Sequence, residues 1–170
     1  MSMLATQTIP GEKQEISEEL KPRYLEALTL VERLHRRLLD VIKDEFERLS
    51  RAEVNSVQAL LLYNIGDSEL TAGELRTRGH YLGSNVSYNL KKLVDAGYIH
   101  HERSDLDRRS VRVKLTEKGH DVRRKVEDLY ARHVLSIEEI GGISPDEFDV
   151  LNRSLVKLER FWTDQIRYRL

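Results

Sequence analysis

Residues 84–119 read SNVSYNLKKLVDAGYIHHERSDLDRRSVRVKLTEKG, and the fold turns on how this stretch divides. In its first part Val86, Leu90, Leu93 and Val94 recur three and four apart, so they share one face of a helix. Ser84, Asn85, Ser87, Tyr88 and Lys91 are left on the opposite, solvent-facing side. Gly97 stands where a glycine can take the left-handed conformation that closes such a helix. The second part changes period. Val111, Val113 and Leu115 alternate with Arg112 and Lys114, the pattern of a strand with one buried face. Paired with a strand over 98–103, it makes a hairpin whose tip is DLDRR.

Working outward, SRAE at Ser50 to Glu53, TAGE at Thr71 to Glu74 and SPDE at Ser144 to Glu147 all fit the capping box. In that box a hydroxyl satisfies a free amide and the glutamate reaches back. Pro145 suits a first helical position, and Gly66 and Gly79 are further stop signals. Helices are predicted over about 52–65, 72–78 and 83–95. From Pro22 onward Leu25, Leu28, Val31, Leu34, Leu38, Val41/Ile42, Phe46 and Leu49 place one apolar stripe along a long helix. Val122, Val126, Leu129, His133 and Ile137 repeat that spacing, as do Phe148, Leu151, Leu155, Leu158, Trp162 and Ile166. The expected fold is mainly α with a small β-hairpin: a winged helix-turn-helix between long N- and C-terminal dimerisation helices. The expected division is 1–20 as a flexible arm or short extra helix, 21–50 as the first dimerisation helix, 51–116 as the winged lobe and 117–170 as the C-terminal dimerisation helices.

Composition permits this and narrows the function. The 170 residues are 39% hydrophobic and 34% charged, as in ordinary folded domains. No run approaches the roughly 18 apolar residues of a membrane span, and no basic-then-apolar leader opens the chain. The absence of cysteine excludes disulfides and thiol chemistry, and a cytoplasmic location is expected. The net charge of -1 conceals a segregation. Thr71 to Lys125 holds 13 lysines and arginines against 7 acids, while the remainder holds 15 against 22. A basic middle between acidic arms is a footprint suited to phosphates, although solvated helix faces produce such segregation too.

The polar face at 84–91 has the chemistry of a recognition helix: Asn pairs with adenine and Lys with guanine, while Ser and Tyr hydroxyls serve bases or phosphates. Beside it, an arginine-tipped hairpin reaches the adjacent minor groove, whose negative potential favours inserted arginine. Arg108 is the candidate tip. Asp107 and Arg109 can instead pair across the turn and hold its shape without DNA. Three long amphipathic helices cannot all bury their stripes on one small lobe, so association is expected.

On D-x-D-R-R followed by a hydrophobic strand and L-T-E-K-G, the chain resembles the MarR family of bacterial winged-helix transcription regulators over about residues 22–166. The resemblance implies a homodimer of interlocked terminal helices, with recognition helices in successive major grooves of a pseudo-palindromic operator and wing residues Asp107, Arg108, Arg109 and Arg112 at the DNA. It further implies a repressor released by a small, often aromatic or anionic, effector bound between the dimerisation helices and the DNA-binding lobe. Arg23, Tyr24 and His35 are the candidates nearest such a cleft. The arm at 1–20 is longer than usual for the family, and the lack of cysteine removes the thiol-oxidation mode of some members.

Other chemistries fare less well. His100 and His101 are adjacent on a strand and so face opposite ways, which argues against a shared metal; His35 reads as a packed histidine, and no cofactor is expected. There is no nucleophile with a placed base, no phosphate-binding glycine loop and no carboxylate pair, so no enzyme is expected. The competing class is a dimeric winged-helix scaffold that binds protein and reads no DNA. Salt separates the two, because counterion release makes phosphate binding fall steeply with ionic strength. Replacing Arg108 by alanine should weaken duplex binding broadly across sequences and reduce the salt slope by about 1; an unchanged slope in a filter-binding titration would leave the tip solvated.

Overall fold

The computed structural model describes residues 10–50, 53–67, 70–71, 74, 83–103 and 111–168. They form two compact units, Met1–Leu61 and Leu62–Leu170.

The first unit is dominated by α1, Pro10–Arg48. The helix begins well before Pro22 and runs through it. A proline there withholds one amide from the ladder, and next to the carbonyl left without that donor the Arg23 guanidinium donates to the Glu19 carbonyl at 2.7 Å. The predicted stripe divides along its length. Ile42 and Phe46 are buried, Leu28, Val31, Leu38 and Leu49 are half-buried, and Leu25 and Leu34 are exposed. Glu45, itself buried, is held by a two-pronged contact from Arg48, Nη2 to Oε1 at 2.8 Å and Nε to Oε2 at 3.1 Å.

The next helix, α2 (Ser56–Ile65), carries the boundary between the units. SRAE does not start it. Ser50 takes a positive φ of 54° in the turn that ends α1, whereas a capping residue needs an extended backbone. The box sits five residues later: the Gln58 amide donates to Asn55 Oδ1 at 2.9 Å, and the Asn55 amide to Gln58 Oε1 at 3.2 Å.

In the second unit β1 (Leu70–Thr71), β2 (Ile99–Arg103) and β3 (Val111–Leu115) form an antiparallel sheet in the order β1-β3-β2. β1 was not expected, since two residues are too short to show a period. The hairpin register pairs Ile99 with Leu115, His101 with Val113 and Glu102 with Arg112. Val113 and Leu115 are buried and Arg112 and Lys114 exposed. Against the sheet lie α3 (Gly83–Asp95), on β2, and α4 (Glu117–Ser136), on β3; α5 (Pro145–Tyr168) follows in the chain. α4 turns Val122, Val126 and Leu129 into the core, and its Tyr130 ring meets Tyr63 of α2 edge-on at 5.1 Å. α5 buries none of its residues.

Two predicted boxes form. The Thr71 amide donates to Glu74 Oε2 at 2.7 Å and the Glu74 amide to Thr71 Oγ1 at 3.1 Å; in the second, the Ser144 amide and hydroxyl both donate to Glu147 Oε2, at 2.9 and 2.8 Å. Gly66 and Gly97 take positive φ, as does Gly142, which was not singled out. Gly79, and all of 72–78 except Glu74, lie outside the described residues.

The bonds from Ser144, the amide first, hold the Glu147 carboxyl below its usual pKa. A depressed carboxylate stabilises the fold at neutral pH, and the contribution disappears as pH falls through the folded value. In an NMR titration the Ser144 amide should therefore move with a midpoint below the ordinary glutamate value; a midpoint at that value would mean the box is open in solution.

Candidate nucleic-acid interface

The site is built on α3 and on the means by which its end is held. Leu90 and Leu93 are buried and Val94 is half-buried, which turns Ser87, Tyr88 and Lys91 outward. Tyr88 is 60% exposed, and Lys92 lies over its ring at 4.7 Å. Lys91 has no hydrogen-bond or ion-pair partner among the described residues. Ser84 and Asn85 belong to the first turn of α3; their side chains fall outside what the structure describes.

α3 ends in a Schellman turn. The Tyr98 amide donates to the Leu93 carbonyl at 2.8 Å and the Gly97 amide to the Val94 carbonyl at 3.0 Å, with Gly97 at φ 78°. Onto this turn closes the start of α4, the T-E-K-G segment. Thr116 Oγ1 donates to the Gly97 carbonyl at 2.7 Å and accepts from the Gly119 amide at 3.2 Å, so one hydroxyl caps α4 and grips the end of α3 together. The Thr116 amide donates to the Tyr98 carbonyl at 3.1 Å. Lys118 donates to the Ala96 carbonyl at 3.2 Å and stacks on the Tyr98 ring, 4.2 Å from its centroid. Gly119 is buried so close to the Tyr98 carbonyl that any Cβ would overlap it.

A second tie joins the turn after α2 to α4. Arg123 donates to Asp67 and pairs with Glu127 at 2.8 Å, and His120 Nδ1 lies 3.7 Å from Asp67. The bond from Asp67 is the main reason the Arg123 pKa is raised. Neither tie is legible in the sequence, for partners 19 and 56 residues apart leave no periodic trace. Asn55-x-x-Gln58 was missed as well, although its three-residue spacing is that of an amide version of the capping box and is legible locally.

Of the wing residues, Arg112 is on β3, exposed, in register with Thr71 on one side and Glu102 on the other. Asp107, Arg108 and Arg109 lie outside the described residues. Arg23, Tyr24 and His35 are all exposed on α1, Arg23 paired with Glu19 at 3.2 Å. His35 is therefore not packed in the single chain. Among the described residues no group of three or more histidines and acids could hold a metal, and no helix is long and apolar enough to cross a membrane.

A sequence profile described as the MarR family matches residues 49–110. The exopolysaccharide II synthesis transcriptional activator ExpG of Rhizobium meliloti is 34% identical over 145 residues, covering 85% of this chain and 74% of that protein. The chain belongs to the MarR family. Its members are transcription regulators and not enzymes. The crystal structure of Streptococcus pneumoniae FabT in complex with DNA superposes with a TM-score of 0.64 at 23% identity, over 83% of this chain and 98% of that one. A structure of Bordetella bronchiseptica BpsR, titled for regulation of its DNA binding by 6-hydroxynicotinic acid, has a TM-score of 0.64 at 17% identity, over 79% and 98%. These likenesses establish the MarR winged-helix fold, and the T-E-K-G clasp shows what one of its motifs does in this chain.

The clasp generates a graded expectation. Thr116→Ala should cost about 1 kcal/mol through the lost cap. Gly119→Ala should cost about 1–3 kcal/mol, because the new methyl must displace the Tyr98 backbone. Urea denaturation checks both, and a Gly119→Ala protein as stable as the parent would show that α4 does not seat on this turn.

Proposed function

We propose that this MarR-family chain acts as a homodimer that binds a pseudo-palindromic duplex operator. One α3 enters each of two major-groove half-sites roughly 34 Å apart, and the wing arginines enter the flanking minor grooves. The observation that carries this reading is the outward set Ser87, Tyr88 and Lys91 on a helix clamped at its far end. A rigid seat is what base readout needs, since each good bidentate contact discriminates by about 1–3 kcal/mol only when the side chain is aimed. The structural likeness to FabT, which was solved in complex with DNA, supports the partner.

The dimer rests on apolar surface. Leu20, Leu25, Leu30 and Leu34 of α1 are exposed, as are Val134 and Leu135 of α4 and Val150, Leu151, Phe161 and Ile166 of α5. A trough of about 560 Å³ opens between the end of α4 and the start of α5, lined by Tyr130, Val134, Ile137, Ile143 and Phe148. Contiguous apolar patches of this extent mark interfaces. A second copy of the chain is the occupant we assign, with 21–50 and 117–170 supplying the dimer contacts and 51–116 the DNA contacts.

The regulatory mode we propose is repression, because a dimer lying across a promoter excludes polymerase without any further surface. ExpG, similar over most of the chain, carries the name of an activator, and a promoter reporter decides the sign. For the effector we propose a small aromatic anion acting through Arg23, Tyr24 and His35, a class to which the 6-hydroxynicotinic acid that regulates DNA binding by BpsR belongs.

The test is selection of duplexes from a randomised pool, followed by binding with purified protein. A dimer by sedimentation should select a two-fold symmetric site. Substituting Asn85 or Tyr88 should change the preferred bases at fixed positions in each half, and 6-hydroxynicotinic acid should lower affinity for the parent. A dimer with no duplex binding at low salt would return the molecule to the scaffold class, and a monomer would remove both readings.

A further inference from the structure

Between α3 and the hairpin lies an open groove of about 360 Å³, rimmed by Ser87, Lys91, Asp95 and His101, with the buried Leu90 and Val113 at its base. His101 enters it because of strand parity. It is in register with Val113, on the face of the sheet that turns toward α3, whereas His100 pairs with Lys114 on the opposite face. A residue at that position would ordinarily be core, yet His101 is exposed and, like Lys91, has no hydrogen-bond or ion-pair partner among the described residues.

The heights along the groove follow from the two rises. Counting from Gly97, Asp95 stands about 3 Å back along the helix, Lys91 about 9 Å and Ser87 about 15 Å, while His101 stands about 13 Å out along the strand. His101 is thus level with the span between Lys91 and Ser87. Asp95 shares the other end with the negative C-terminal pole of α3. The groove is polarised, with an ammonium, an imidazole and a hydroxyl at the end nearer the N-terminus of α3 and an acid at the other end.

We infer that His101, with Lys91 and Ser87, grips a backbone phosphate of the duplex, and that protonation of its imidazole strengthens that grip. The inference rests on the DNA-binding reading above and adds a contact made by neither the recognition face alone nor the wing tip. An ammonium, a hydroxyl and an imidazolium are the donor set a phosphate diester accepts from. Histidine is the side chain whose charge ordinarily changes between pH 5 and 8, and a phosphate in contact favours the charged form. DNA affinity therefore rises as pH falls. Among the residues whose side chains the structure describes, the charged groups facing His101 are Lys91 and Asp95 of α3; Arg103 shares the sheet face of His101 by strand parity, while Arg112 and Lys114 of β3, and His100 and Glu102 of β2, belong to the other face. Lys91 opposes the protonation and Asp95 supports it, so the phosphate decides.

The experiment is a salt titration of binding to a mixed-sequence duplex of about 30 base pairs, long enough for two half-sites one turn apart, at pH 6 and pH 8. For the parent the slope of log affinity against log salt should steepen by about 0.9 per gripping copy at the lower pH. His101→Gln should hold the shallow slope at both pH values, His101→Arg the steep slope at both, and His100→Gln should behave as the parent. A His101→Gln protein that keeps the full pH response, or a His101→Arg protein with the shallow slope, would overturn the assignment while leaving DNA binding intact. A parent protein that binds no duplex at either pH would instead overturn the reading on which the assignment stands.

Discussion

One hydroxyl sets the geometry on which DNA recognition depends. Thr116 closes α4 on its own Gly119 amide and also holds the Gly97 carbonyl at the end of α3. The end of α3, the open end of the hairpin and the start of α4 are thereby locked at one point. Each bond is of ordinary strength, about 1 kcal/mol net, but the three elements share it, so an error in one angle is transmitted to the others. Lys118 over the Tyr98 ring and the missing side chain at Gly119 allow the approach to be this close. On the proposed reading, bracing α3 at this end leaves its N-terminal half free for DNA while its aim is set from behind.

The same economy explains the charge distribution. A chain with net charge -1 has no general attraction for polyanions. The basic excess is confined to 71–125, the part proposed to meet phosphates, and the remainder carries more acids than bases, with Glu45 and Arg48, and Arg37 and Asp40 at 3.2 Å, making local pairs on α1. Electrostatic steering then works at one face only, which orients the encounter and does not merely accelerate it. The imidazole in the groove beside α3 would make that face responsive to pH without any change of fold.

The apolar surface left on α1, α4 and α5 is too large for a free monomer to carry without cost. Ile166 is 81% exposed, Leu135 and Ile140 84%, although the spacing of most of the stripe residues is that of ordinary core. Period identifies a face that wants burial; it does not say whether the burying partner lies in the same chain. Here α4 divides between the two fates, with Val126 fully buried and Val134 72% exposed two turns later.

By itself the sequence determined the sites where local chemistry suffices. The two-period switch between 84–95 and 111–115 marked the recognition helix and the strand; Thr71 with Glu74, and Ser144 with Glu147, marked helix starts; Gly66 and Gly97 marked stops. Each depends on residues within a few positions of one another, so the information is contiguous. Where two local signals competed, context chose: Ser50 lost to Asn55 because the chain turns at Ser50 with a positive φ. Pro22 did not bound its helix, since one missing amide is a small loss in a helix of 39 residues. Only the tertiary structure decided that Thr116, Lys118 and Gly119 clasp the end of α3, that Arg123 reaches Asp67, and that His101 stands level with Lys91 across a groove. Those relations join residues distant in the chain, and a contact between distant residues has no period from which it could be read.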